Sequence, residues 1–462
     1  MTSTSPAVTH PASPMRAPVG SVVLVADDLT GGADSAVQFA RAGWTPRLAL
    51  GTTPAQHGDD GSVVAIVTDA RAAAPDAARE STRTAVARAV ADGDDRLFLK
   101  IDSTMRGTVP EQVQGALSAW EAREPDAVAV VCPAYPAMGR TVEGGQLLVD
   151  GRGVETTAVG RDPVTPVTTA ALADLLPGSA HVDAAADAAD LAVRIATASA
   201  SGARVITVDA VTTADLRFVA EAIALLGPRA VPVGSAGLAG EMAREWGPGS
   251  ASATAAAPSG PAAAPAGQPA RPRHVVVVVS SLHDVSRGQH AHLVRAAADG
   301  SLGEDVRTIA PSLDDLVGAG ADLTAAQGRA AGPAPAVTVV LAPERTAGAA
   351  AEVVGQPTTA ERVAAGLASI AGRVIADDGA AALVLMGGEG ARAALARQGA
   401  DAILVRDAIR EGMPLGVIEG GRLHGLPVVT KAGGFGPPSA LTDIVPELLD
   451  HPASTPMQGE AP

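Results

Sequence analysis

A single cysteine, Cys132, stands in a chain of 462 residues. That excludes an intramolecular disulfide and any metal site built on several thiolates, and it fits a reducing cytoplasm. Hydrophobic residues make up 47% of the chain, yet no apolar run reaches the roughly eighteen residues that a membrane-spanning helix needs. Residues 1–20 lack the apolar block of an export signal and read as a disordered tail. Positive charge is scarce as well. The net charge of -16 leaves no basic surface for a nucleic-acid backbone, so an anionic ligand has to be met locally. Asparagine is absent, and of the 34 basic residues only Lys100 and Lys431 are lysine. Drift in a GC-rich genome accounts for that bias at the surface. A position that keeps lysine against such drift is a candidate for a role needing a compact ammonium, which a guanidinium fork does not replace.

The length suits two to three domains, each with its own core. Apolar strand-like runs alternate with amphipathic or Ala-rich helical stretches, the pattern of an α/β fold with mainly parallel sheets flanked by helices. In the first half, SVVLVA, RLFLKI, AVAVVC and RVITVD are such runs; in the second, HVVVVVSS, ALVLMGG and LPVVTKAGG. Between them, residues 248–272 form a Pro/Ala/Gly/Ser tract that cannot bury a core and reads as a linker. The expected organisation is a tail (1–20), a first domain (21–247), the linker, a second domain (273–450) and a tail (451–462).

Ligands of parallel α/β sheets bind at the carboxyl ends of strands, so the loops there carry the chemistry. In ADDLTGGAD, Asp27 and Asp28 end a strand, Gly31 and Gly32 allow a tight turn, and a helix is expected from about Ala33. Paired carboxylates there can bind hydroxyls, hold Mg²⁺, take a proton, or simply cap the helix. The next loop, KIDSTMRGTVPEQV, gathers Lys100, Asp102, Ser103, Thr104 and Arg106, the composition of a carboxylate-binding site. Thr108 and Glu111 have the spacing of a capping box, with Pro110 in the first turn. In CPAYPAMGRTVEGG, Arg140 suits either a substrate anchor or a structural ion pair. Cys132 has no histidine near it in sequence and reads as a small buried residue. The small residues of VGSAGLAG leave room for a ligand against a helix N-terminus.

The second half offers the turns SSLHDVS, MGGEGA and TKAGGFG after strands. None matches the P-loop pattern, and no dinucleotide fingerprint opens a first helix. Three glycine- or hydroxyl-rich turns in one small domain, one of them containing Lys431, nevertheless point to phosphate binding.

Taken together, ADDLTGGAD, KIDSTMRG, PAYPAMGRT, GSAGLA and TKAGGFG resemble, in order, the four-carbon acid sugar kinase family, from about residue 21 to 445. The resemblance implies a substrate-binding first domain, a nucleotide-binding second domain, and transfer of the ATP γ-phosphoryl group, with Mg²⁺, to the terminal hydroxyl of a sugar acid. It implies that Asp27, Asp28, Lys100, Asp102, Ser103 and Arg106 line the substrate pocket, with Asp27, Asp28 and Lys100 expected to be catalytic, and the reading of the third loop adds Arg140 as a substrate contact. Nucleotide contacts would come from Ser281, Gly387, Gly388, Glu389, Gly390, Lys431 and Gly433. Three positions depart from the family's pattern: Gly390 stands for a threonine, Ser280 for a glycine, and Gly434 where asparagine is common. A hydroxy-acid dehydrogenase and a non-catalytic sugar-acid sensor share parts of this pattern, but the first lacks its fingerprint and the second has no use for a retained Lys431. The small-molecule acid and ATP are the expected partners, with self-association left open and neither nucleic acid nor membrane involved.

Overall fold

The computed structural model describes residues 20–50, 61–162, 164–247, 274–317, 335–344 and 358–450. The stretches expected to be tails and linker, residues 1–19, 248–272 and 451–462, lie outside the described residues. In chain order the strands are β1 (Val22–Ala26), β2 (Thr45–Ala49), β3 (Ser62–Val67), β4 (Arg96–Lys100), β5 (Val128–Cys132), β6 (Arg140–Glu143), β7 (Gln146–Val149), β8 (Arg152–Gly153) and β9 (Ala180–Val182). They continue with β10 (Val205–Val208), β11 (Ala230–Gly234), β12 (Val275–Val279), β13 (Val306–Ile309), β14 (Val337–Leu341), β15 (Ala382–Met386), β16 (Ala402–Arg410), β17 (Met413–Glu419) and β18 (Pro427–Lys431). Every apolar run singled out in the sequence forms a strand, and β1, β5, β11, β12, β14, β15 and β18 are buried at every position. Covered on both faces by helices, such strands have no reason to alternate polar and apolar residues.

Both halves are mainly parallel, and they join into one 15-stranded sheet, ordered β13-β14-β12-β15-β18-β17-β16-β2-β3-β1-β4-β11-β5-β10-β9. The join is the antiparallel pair β2–β16, which sets Leu48 opposite Ile403, extended by Leu50 N–H donating to Asp401 O at 3.0 Å. Ion pairs reinforce it: Arg47 with Glu419 at 3.1 Å, Arg41 with Asp407 at 2.9 Å, and Arg392 with Asp69 at 2.8 Å. Three antiparallel pairings separate β2 from β18, so the parallel strands of the two halves run in opposite senses. Sheet twist of about 20–25° per strand accumulates to more than roughly 120° from β1 to β15, which turns the carboxyl ends of both sets toward one cleft. Strands β6–β8 form a separate antiparallel sheet that walls this cleft.

Candidate active site

One cleft of about 1030 Å³ collects the strand-end loops of both halves. From the first half come the loops after β1, β3, β4, β5 and β11; from the second, those after β12, β15 and β18 and the tight β16–β17 turn.

The loop after β1 becomes a helix, Leu29–Arg41, sooner than the glycines suggest, because Asp28 is its N-cap. The Asp28 carboxylate accepts from Gly31 N–H at 2.9 Å and from Thr30 Oγ1 at 2.5 Å. Gly31 therefore lies inside the first turn, and its role is close approach: a Cβ there would stand 2.6 Å from both Asp28 Oδ1 and Lys100 Nζ. Lys100, nearly buried, donates from Nζ to Ile101 O at 2.7 Å and lies against this turn.

Arg71, which the sequence motifs do not single out, organises the first-half wall. It follows β3 in a single 3₁₀ turn, Ala70–Ala72, and its guanidinium grips Asp27 with two bonds of 2.7 and 2.9 Å. It also donates to Asp28 at 2.7 Å and stands 3.6 Å from Asp102. Asp27 is fully buried and does not reach the cleft, so it orients Arg71 rather than meeting a ligand. Burial pushes the Asp27 carboxyl up against the pull of Arg71. Burial also opposes ionisation of Asp28, but Arg71 and Lys100 outweigh it and hold that carboxyl below its ordinary value.

Asp102 is saturated by local donors: Thr104 N–H at 2.9 Å, the Thr104 hydroxyl, and Arg106 at 2.8 and 3.2 Å. Against the cost of burial, Arg106 and then Arg71 hold it well below the usual carboxylate range. Arg106 bridges on to Asp162 at 3.2 Å. Ser103, Arg106 and Arg140 line the cleft as expected, with Arg140 donating to Met138 O. The expected capping box does not form. Thr108 instead donates to Ala70 O at 2.6 Å, and with Gly107 packed against the Arg71 carbonyl this locks the loop after β4 onto the Arg71 turn. Cys132 is buried and its thiol is pushed up to about 12 by burial, an inert core residue. Of the small residues after β11, Ser235 and Ala236 line the cleft at a helix N-terminus as expected, while Ser235 also caps that helix and Gly237 packs against Ala134 and Tyr135.

Across the cleft, two helix N-termini converge. Helix Asp284–Ala298 is capped by His283. Helix Gly388–Arg397 begins at Gly387, whose φ of 103° is reserved for glycine and which offers no capping side chain. Orphan N–H groups and a positive helix end invite an anion there. Gly433 lets the β18 loop close on Ser281, because a Cβ would overlap Ser281 Oγ, and Ser286 fixes the loop by donating to Gly433 O at 2.7 Å. Ser281, Gly387, Gly388, Glu389 and Gly433 all line the cleft. Gly390 does not; a Cβ at that position would overlap Ser280, so the serine that stands for glycine occupies the space a threonine at 390 would need. Lys431 is also out of the cleft. Strand alternation points Thr430 and Ala432 into it and buries Lys431 on the other face, donating to Ala432 O at 2.8 Å. Burial pushes its ammonium down to about 8.

Two further acidic groups in the cleft had no role assigned from sequence, although Asp34 closes the motif ADDLTGGAD. Asp34 projects from the same face of its helix as Thr30 and Gly31, and Glu411, from the β16–β17 turn, accepts from Tyr135 Oη at 3.1 Å across the seam. Tyr135 signalled itself as the only tyrosine in the chain, whereas Asp34, just past the expected helix start at about Ala33, gave no signal beyond its place in ADDLTGGAD.

Residues 22–242 match the model of a sugar-binding N-terminal domain and residues 276–441 that of a nucleotide-binding C-terminal domain. The chain is 41% identical to a D-threonate kinase of Bordetella bronchiseptica over 89% of this chain and 94% of that one. It is 29% identical to a D-erythronate kinase of Heliobacterium modesticaldum over 93% and 98%. A Haemophilus influenzae protein of known structure shares the fold with a TM-score of 0.62 at 20% identity, covering 92% of this chain and 100% of that one. The chain thus belongs to the four-carbon acid sugar kinase family, phosphotransferases with an alcohol group as acceptor.

Proposed function

We propose that this enzyme moves the γ-phosphoryl group of ATP, as its Mg²⁺ complex, to the C4 hydroxyl of threonate, erythronate or a 3-oxo-tetronate in cytoplasmic carbohydrate breakdown. The observation that carries the reading is the cleft itself. One wall holds charged and hydroxyl groups suited to a small sugar acid, the other holds glycine turns at helix N-termini suited to phosphates, and its volume lies at the upper end for ligand pockets, enough for two substrates.

Ser103, Arg106 and Arg140 take the acid's carboxylate, while Asp28 and Lys100, clamped side by side over Gly31, orient its hydroxyl end. N–H groups of the turns at Gly387–Gly388 and Gly433, with the Ser281 hydroxyl, receive the phosphates. Mg²⁺ favours phosphate oxygens, water and one or two carboxylates. Glu389, beside the Gly387 turn and pushed up by burial and by Glu361 and Asp69, would be the residue to hold it. The metal supplies charge neutralisation at the transferring group. Gly390 and Lys431 act from behind, one by leaving space for Ser280 and the other beneath the β18 loop.

A thermal-shift series tests the reading against its competitors. ATP with Mg²⁺ and a four-carbon acid should each raise Tm, and together more than either alone; stabilisation by NAD(P) without ATP would point to a dehydrogenase, and by the acid alone to a sensor.

A further inference from the structure

Phosphoryl transfer to an alcohol must dispose of the hydroxyl proton, and most carboxylates around the acceptor side of the cleft are already saturated. Asp28 accepts from Gly31, Thr30 and Arg71; Asp102 from Thr104 and Arg106; Asp162 from Val164, Thr165 and Arg106. Asp27 is closed off from the cleft, and Glu411 is tied to Tyr135 and Arg41. Among the described residues three cleft carboxylates accept no hydrogen bond: Asp150, exposed at the β7–β8 turn, Glu389 on the nucleotide side, and Asp34, which is half-buried on the helix that carries the acceptor wall.

We infer that Asp34 is the general base of the transfer, taking the proton from the attacking hydroxyl of the sugar acid. The inference rests on the kinase reading and adds to it the proton acceptor. Asp34 lies one turn beyond Thr30, on the face that carries Gly31, and Lys100 Nζ sits over Gly31. The groups facing Asp34 come from every element around it: Lys100 from the end of β4, Asp28 at the helix cap, Arg41 on its own helix, Glu411 from the β16–β17 turn, and Tyr135 from the loop after β5. Lys100 and Asp28 belong to the acceptor wall and Glu411 to the donor half, so Asp34 stands at the seam where acceptor and donor meet. Burial, then Glu411 and Asp28, lifts its carboxyl to about 6 in spite of Lys100 and Arg41. It is thus ionised at neutral pH, and a better proton acceptor than an exposed aspartate. In the step, Asp34 takes the hydroxyl proton as the hydroxyl oxygen bonds to the γ-phosphorus. The bond from that phosphorus to the β–γ bridging oxygen breaks, its electron pair departs on ADP, and Asp34 then releases the proton to solvent.

The test is Asp34→Asn, isosteric and unable to accept the proton, with Asp34→Ala alongside. The Asn variant should lose kcat by about a hundred- to ten-thousandfold. Calorimetric affinities for the acid and for ADP should stay within about threefold of wild type. Wild-type kcat should fall about tenfold per pH unit below about 6, and this acid limb should vanish in the Asn variant. Added formate should raise kcat of the Ala variant and leave wild type unchanged. Without turnover, difference infrared spectroscopy should show a carboxyl band titrating near 6 in wild type and missing in the Asn variant. A kcat within about tenfold of wild type, a persistent acid limb, or recovery of the Asn variant by excess Mg²⁺ would each overturn the assignment. If wild type itself releases no ADP with any four-carbon acid, the kinase reading fails instead, and the infrared titration still decides whether Asp34 is a poised base.

Discussion

Arg71 is the residue whose removal should be felt most widely, because one guanidinium serves three carboxylates. Asp27 is fully buried and depends on it through bonds of 2.7 and 2.9 Å; Asp28 accepts at 2.7 Å, and Asp102 stands 3.6 Å away. Arg71→Met keeps the stem and removes the charge, leaving Asp27 buried without its partner. Breaking such a pair from one side costs about 3–5 kcal/mol. For a unit of this size that corresponds to a Tm lower by roughly 6–20 °C. The assay is thermal and urea unfolding of wild type, Arg71→Met, Asp27→Asn and the double variant. Asp27→Asn relieves the buried charge that Arg71→Met strands, so the double variant should be less damaged than the two single losses added together, with a coupling of at least about 2 kcal/mol. Arg71→Lys should rescue only part, since an ammonium cannot reproduce the two-pronged grip. An Arg71→Met protein within about 1 kcal/mol of wild type, or strictly additive losses, would refute the idea that this guanidinium holds the wall together.

The buried lysine and the paired departures in the glycine turn give two further expectations. Lys431 is pushed by burial from its ordinary 10.5 to about 8. Between those values the unfolded chain binds a proton that the folded one does not, so stability should rise with pH across that window. Lys431→Met should abolish the rise and be more stable at pH 7 by up to about 3 kcal/mol; pH–stability curves of equal slope for the two proteins would contradict it. Gly390→Thr should raise KM for ATP and lower Tm because its Cβ meets Ser280, and adding Ser280→Gly should restore both, as measured by steady-state kinetics and calorimetry. No recovery in the double variant would show that the two positions do not compensate.

Much of the fold was legible because a fully buried parallel strand is an unbroken apolar run, as in VVVVV of β12 or VAVVC of β5. The strand-end loops were legible for a related reason: charged and hydroxyl residues crowded into a short turn, as in the segment from Lys100 to Arg106, have no core to serve. What escaped was non-local. The β2–β16 pair joins edge strands from opposite halves, and nothing in TPRLA or AILVRDAIR announces the other. Arg71 was hidden among 31 other arginines, and only the burial of Asp27 reveals it. Thr108 had the spacing of a cap, yet its hydroxyl found a better acceptor in Ala70 O, and Lys431 looked like a ligand until strand alternation turned it inward. Asp34 lay inside a helix, where an aspartate normally faces water.

The central claim is acid-dependent phosphoryl transfer from ATP, and a coupled ADP-release assay with D-threonate, L-threonate, D-erythronate and 3-oxo-tetronates, each with and without Mg²⁺, tests it most directly. Release should require Mg²⁺ and one of these acids, with a new phosphate monoester on C4 visible by phosphorus NMR. Release at the same rate with no acid present, or none with any acid, would contradict the account.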